Sequence, residues 1–160
     1  MPKQQDKILV VDDDLNSLDL IAKQVLQPLG YQVAAVTDGG AAIQHALDFA
    51  PAVMIVSLSL QGFSGKDLLT ALRAQSFDSP IIVIVPHEGE AQALAAFRLG
   101  ARDYLVRPLR EAEIVNTVDR VVGDGRLKRE RAQLEAQLKQ VNAELEGRVK
   151  ELVTLSAVGK

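Results

Sequence analysis

The sequence contains no cysteine and no tryptophan, and its aromatics come to four Phe and two Tyr. Without cysteine there is no disulfide framework, no thiolate nucleophile and no thiolate-bound metal. So few rings leave no stacking platform for single-stranded nucleic acid. The two histidines, His45 and His87, stand far apart and are too few for a histidine metal cluster. No apolar run approaches the roughly 20 residues of a membrane span, and the opening Met1-Pro-Lys-Gln-Gln-Asp6 lacks the apolar core of a secretory signal. The net charge of −3 gives no general reason to expect nucleic acid. These absences predict a cytoplasmic protein that engages neither membrane nor nucleic acid through this segment.

What is present is apolar and periodic. At 48% hydrophobic, 160 residues can bury one substantial core and still carry an appendage. Charge is uneven: 10 basic residues face 15 acidic ones up to Gly123, and 8 face 6 from Asp124 onward. The shift divides the chain into 7–123 and 124–160, and it is too small for a basic nucleic-acid arm.

In the first part, short apolar runs alternate with helical spacing. Strands are predicted at Lys7–Val11, Tyr31–Val36, Val53–Val56, Ile81–Val85 and Tyr104–Val106. Between them, apolar residues recur at helical intervals, as in Leu18, Ala22, Val25 and Leu29, which Gly30 stops. Five strands alternating with five helices predict an α/β fold, a doubly wound parallel sheet. The run Val53–Val56 suits a strand covered on both faces. Ser57, the first polar residue after it, falls at the sheet edge where such folds collect ligands.

From Arg126 the period changes. Leu127, Leu134, Val141, Arg148 and Leu155 recur every seven residues, and Arg131, Leu138, Leu145 and Leu152 form the companion series. This spacing predicts a long helix pairing as a coiled coil, with Asp124-Gly125 as a hinge or kink before it. The alternative is one amphipathic helix folding back on the domain. The seam is still apolar where it stops, which leads to the expectation of a further domain downstream. A parallel pair would set Glu130 against Glu135 of the other copy, a mild repulsion.

Residues 7–122 resemble a bacterial two-component response-regulator receiver domain. The resemblance rests on Ile8-Leu-Val-Val-Asp-Asp-Asp14, the loop Gly62-Phe-Ser-Gly65, Pro80-Ile-Ile-Val-Ile84 and Gly100-Ala-Arg-Asp-Tyr-Leu-Val-Arg-Pro108. It implies the flavodoxin-like receiver fold. It also implies an acidic pair holding Mg²⁺, a phosphorylated Asp after the third strand, a Thr or Ser after the fourth and a Lys after the fifth. Asp12 and Asp13 match the acidic pair, with the Ser59 backbone carbonyl as the matching third ligand. The phosphoacceptor position holds Ser57, the hydroxyl position Val85 and the Lys position Arg107; Tyr104 matches the family's aromatic switch position.

Each departure has a chemical cost. A serine hydroxyl without a general base is a weak nucleophile, and it removes one anionic metal ligand. Val85 cannot donate to a phosphoryl oxygen, and Arg107 keeps a charge without the compact ammonium. Together they predict a phosphorylation-independent pseudo-receiver that is not an enzyme. It would act by binding a histidine kinase or output domain and by homodimerising through the C-terminal helix. No cofactor is required, and any Mg²⁺ at Asp12, Asp13 and Ser59 would be weakly held. Arg107 could pair with Asp12 or Asp13 instead, while Tyr104 is expected as a half-buried core aromatic. By the same resemblance, Glu90–Leu99, Asp103–Val106 and Glu111–Val122 would form the interaction surface. Two other readings are a receiver phosphorylated at a non-standard residue such as Asp67, and a haloacid-dehalogenase-like phosphatase. The latter would use Asp12 as nucleophile and Asp14 as acid/base, but Val85-Pro86-His87 lacks the further acidic cluster it needs.

Overall fold

The computed structural model describes residues 6–158, with side chains as far as Val153; the side chain of Leu155, counted in the seam above, lies outside the described residues. The contacts divide the chain into two compact units, Met1–Gly123 and Asp124–Lys160.

In the first unit the strands are β1 (Lys7–Val11), β2 (Gln32–Val36), β3 (Val53–Ser57), β4 (Ile81–Val85) and β5 (Asp103–Val106). They form one parallel sheet in the order β2-β1-β3-β4-β5. The helices are α1 (Leu15–Leu18), α2 (Gly39–Phe49), α3 (Gly65–Ala74), α4 (Glu90–Arg98) and α5 (Glu111–Val158). The doubly wound fold read from the sequence is the fold observed.

Strand alternation splits the core in two. Leu9, Val11, Met54, Val56, Val83 and Val85 face α2, α3 and α4. Ile8, Val10, Val53, Ile55, Ile82 and Ile84 face the α1 side and Ile114, Val118 and Val121 of α5. Every residue of β3 and β4 is buried, which explains why they read as unbroken apolar runs.

Local boundaries differ where side-chain contacts outweigh pattern. Tyr31 precedes β2 instead of opening it, and its hydroxyl donates to Asp119 at 2.9 Å. The first helix is not uniformly α: Asp19–Leu26 is wound as a π-helix and Gln27–Leu29 as a 3-10 turn, closed by Gly30 at φ 97°. At Asp124-Gly125, where the sequence marks a hinge or kink, the backbone is helical at both residues. Each helical glycine costs about 1 kcal/mol, which the good helix formers on either side offset.

Gly65 sets how closely α3 approaches the end of β3. A Cβ there would stand 2.5 Å from the Ser57 carbonyl oxygen and 2.7 Å from the Leu58 Cα. Both neighbours are backbone, so the helix would have to move. Nothing lies within 4 Å of the corresponding point on Gly123. Gly65→Ala is therefore expected to lower the urea midpoint, by about 1–3 kcal/mol of overpacking. Gly123→Ala should leave stability unchanged or raise it by about 0.5–1 kcal/mol. Equal effects of the two would show that the close approach is not limiting.

Candidate functional site

Three strands bring polar groups to the C-terminal edge of the sheet. β1 runs into Asp12, β3 ends on Ser57, and β5 is followed by Arg107. Asp12 and Ser57 are fully buried. The Arg107 side chain is 25% exposed, so its guanidinium closes the site from the solvent side.

That guanidinium organises the cluster. Nη2 donates to Asp12 Oδ2 at 2.8 Å and lies 3.3 Å from Ser57 Oγ. Nη1 donates to Ser17 Oγ at 2.6 Å and sits 3.9 Å from Asp14 Oδ2. The other oxygen of Asp12, Oδ1, accepts the Asp14 backbone N–H at 3.0 Å. Ser57 Oγ also accepts the Ser59 N–H at 3.2 Å. Of the two carboxylates the sequence offered Arg107, its partner is Asp12. Asp13 instead accepts the Gln61 N–H at 3.1 Å, tying the loop after β1 to the loop after β3.

Asp14 caps α1. It accepts the Ser17 hydroxyl at 2.9 Å and the Asn16 N–H at 3.1 Å. The Ser17 bond first, then the Asn16 bond, with Arg107 adding charge attraction, hold its carboxyl below the ordinary value of 3.8.

Val85, at the hydroxyl position, is fully buried in the apolar core. Tyr104 corrects an expectation: it is 38% exposed and not a core residue. Odd positions of β4 pack towards α4, and Tyr104 pairs with Val83, but at the short terminal strand its ring stands outside that layer. It meets the edge of Phe97, with centroids 5.8 Å apart. His87 is 77% exposed beside Glu88, so Ser57 has no histidine base among its hydrogen-bond partners. Asp67 lies exposed in the first turn of α3, its N–H bonded to Ser64 Oγ. Ser59 is exposed. The seam residues from Leu127 to Leu152 lie exposed on the second unit.

Ser17 and Gln61 were not singled out from the sequence. Ser17 carried a usable signal, three residues after a capping Asp at the start of a helix. Gln61 bonds through its backbone, which no side-chain pattern announces.

The resemblance implies Mg²⁺ between the acidic pair and the phosphoacceptor, and the residues present do not fit it. The positive charge between Asp12 and Ser57 is already a guanidinium. Asp13 is committed to Gln61, and a neutral hydroxyl replaces the third carboxylate. Among the described residues no three His, Cys, Asp or Glu gather as a metal site.

An open parallel α/β domain with its polar cluster at the strand ends defines the class, a receiver-type fold. A family profile for the response regulator receiver domain matches residues 8–119, and the chain belongs to that family. It is 33% identical over 112 residues to the transcriptional regulatory protein PrrA of Mycobacterium tuberculosis, covering 70% of this chain and 48% of that protein. To the sensory transduction protein RegX3 of the same organism it is 30% identical over 118 residues, covering 74% and 51%. The chain thus spans about half the length of the curated relatives it matches. Among solved structures, the receiver domain of NtrX from Brucella abortus superposes with a TM-score of 0.69 at 29% identity, covering 72% of this chain and 98% of that one.

Two outcomes follow from the geometry. Arg107→Ala strands a buried carboxylate and is expected to lose about 2–4 kcal/mol in urea unfolding, somewhat under the full buried-pair value because the guanidinium is partly solvated. Asp12→Asn combined with Arg107→Met should recover most of that loss; no recovery would mean that the stranded Asp12 charge is not its source. The lowered Asp14 carboxyl contributes stability that is present above its ordinary value and lost as pH falls through the lowered one. The advantage of wild type over Asp14→Asn should therefore be full at neutral pH and shrink in chemical unfolding as the pH falls below the ordinary value of 3.8.

Proposed function

We propose that this receiver domain signals without being phosphorylated, as a protein-binding module that associates through its C-terminal helix. The observation that carries the reading is the Arg107 guanidinium, held 2.8 Å from Asp12 and 3.3 Å from a buried Ser57 hydroxyl. A phosphoryl group on Ser57 would have to enter a site that already balances its own charge. It would find no base to activate the hydroxyl and no donor on Val85.

The same contacts bear on cofactor and enzyme. With Arg107 supplying the positive charge, no metal is required for the cluster to be satisfied. A carboxyl held ionised, as at Asp14, is poorly suited to act as a general acid near neutral pH, which counts against phosphatase chemistry. Partners would be signalling proteins, a kinase or an output domain, recognised by surface shape. The names of the relatives, a transcriptional regulatory protein and a sensory transduction protein, agree with such a role.

The test is intact-mass analysis after incubation with acetyl phosphate and Mg²⁺. The expected result is no phosphoryl mass on the wild-type chain, and labelling once Ser57→Asp, Val85→Thr and Arg107→Lys are combined. A stoichiometric, magnesium-dependent adduct on the wild-type chain would overturn the proposal.

A further inference from the structure

The C-terminal helix carries an apolar stripe, and its register is not the simple seven-residue one. Leu127, Leu134, Leu138, Val141, Leu145, Val149 and Leu152 are each between 50% and 66% exposed. At 3.6 residues per turn they fall within an arc of about 80°, and Arg148 lies outside it. An uninterrupted heptad would place Arg148 in the seam. Val149, one residue on, offers an apolar side chain at the same level. The spacing from Leu138 to Val149, like that from Val141 to Leu152, is eleven residues, a step that locally unwinds a left-handed supercoil.

We propose that α5 pairs in parallel and in register with α5 of a second copy. The seam runs from Leu145 to Val149 to Leu152, and Arg148 is left on the flank. This rests on the association reading above and specifies its register. The choice between Val149 and Arg148 is one of desolvation. An unpaired guanidinium in a seam costs more than a small change of supercoil. On the flank, Arg148 has Glu144 four residues before it and Glu151 three after, spacings at which helix side chains meet.

Arg131 differs, because its neighbours Glu130 and Ala132 offer no comparable apolar replacement. It stays in the seam, where its Nε lies 3.5 Å from Glu135 within its own helix. In a parallel pair, Glu130 of the second copy flanks the same layer. Two arginines then meet four carboxylates, which offsets the repulsion between Glu130 and Glu135 across the pair. Parallel pairing also brings the eleven-residue steps of both copies to one level. In an antiparallel pair each step would face the regular seam around Arg131.

The absence of cysteine makes the test clean. Leu145→Cys, Arg148→Cys, Val149→Cys and Leu152→Cys variants of the full chain are oxidised with copper phenanthroline at equal concentration. Rapid disulfide-linked dimer is expected for the Leu145, Val149 and Leu152 variants. The Arg148 variant should be about tenfold slower, since flanking Cβ atoms exceed the separation a disulfide spans. Equal or faster cross-linking of Arg148→Cys than of Val149→Cys overturns the step and leaves the pairing standing. Cross-links confined to mixtures of Leu127→Cys with Leu152→Cys mean antiparallel copies and overturn the register. A wild-type chain that is monomeric in sedimentation equilibrium overturns the pairing itself, whatever the acetyl phosphate result.

Discussion

A buried carboxylate needs a positive charge, and in this domain Arg107 meets that need for Asp12. The consequence reaches beyond the pair, because the guanidinium fork also engages Ser17 and Ser57. One side chain after β5 therefore binds the ends of β1 and β3 and the first turn of α1. A compact ammonium would serve as a point charge on one anion; a planar fork fixes several groups at once. The cluster is neutralised from within, and among the described residues no buried side-chain nitrogen or oxygen lacks a partner. Its net contribution to stability is small against a well-packed apolar alternative, since two ions give up water to form it. What it supplies is geometry, with the strand ends held in one arrangement.

The rest of the domain makes that arrangement rigid. The two apolar layers meet across β3, whose every residue is buried, so the Ser57 hydroxyl projects from a strand packed on both faces. Gly65 lets α3 press against the end of that strand. The Asp13–Gln61 bond fastens the neighbouring loop. Moving the site would mean disturbing close-packed layers, and interiors at that density resist continuous deformation.

Much of this was legible in the sequence, for identifiable reasons. Period and punctuation located the strands and helices because both faces of the sheet are covered and each strand is short. Ser57 could be placed because it is the first polar residue after an apolar run, whereas Val85 and Arg107 were placed by the resemblance to receiver domains. The choice of Asp12 over Asp13 was not legible, since adjacent residues on an extended backbone point to opposite sides and only the sheet decides which is covered. The exposure of Tyr104 was missed because a single aromatic on a four-residue strand gives no period to read. That the backbone stays helical at Asp124-Gly125 was not legible, because the two residues marked a hinge or kink while helix propensity sums over a long segment.

If this receiver signals without gaining a phosphoryl group, as proposed above, it must be controlled differently from one that does. A covalent charge can shift a two-state equilibrium by itself; without it, a shift requires a partner that binds one state better than the other, by an amount equal to that differential affinity. A site fixed by Arg107 narrows the range of states a partner could select. On that proposal the remaining variable would be association, which responds to concentration and stabilises whatever conformation the associated form adopts. An exposed apolar stripe on α5 would be a physical means for such control if, as proposed, a second copy buries it. Under the proposal made above, control by abundance and partner binding is what the departures at Ser57, Val85 and Arg107 would leave.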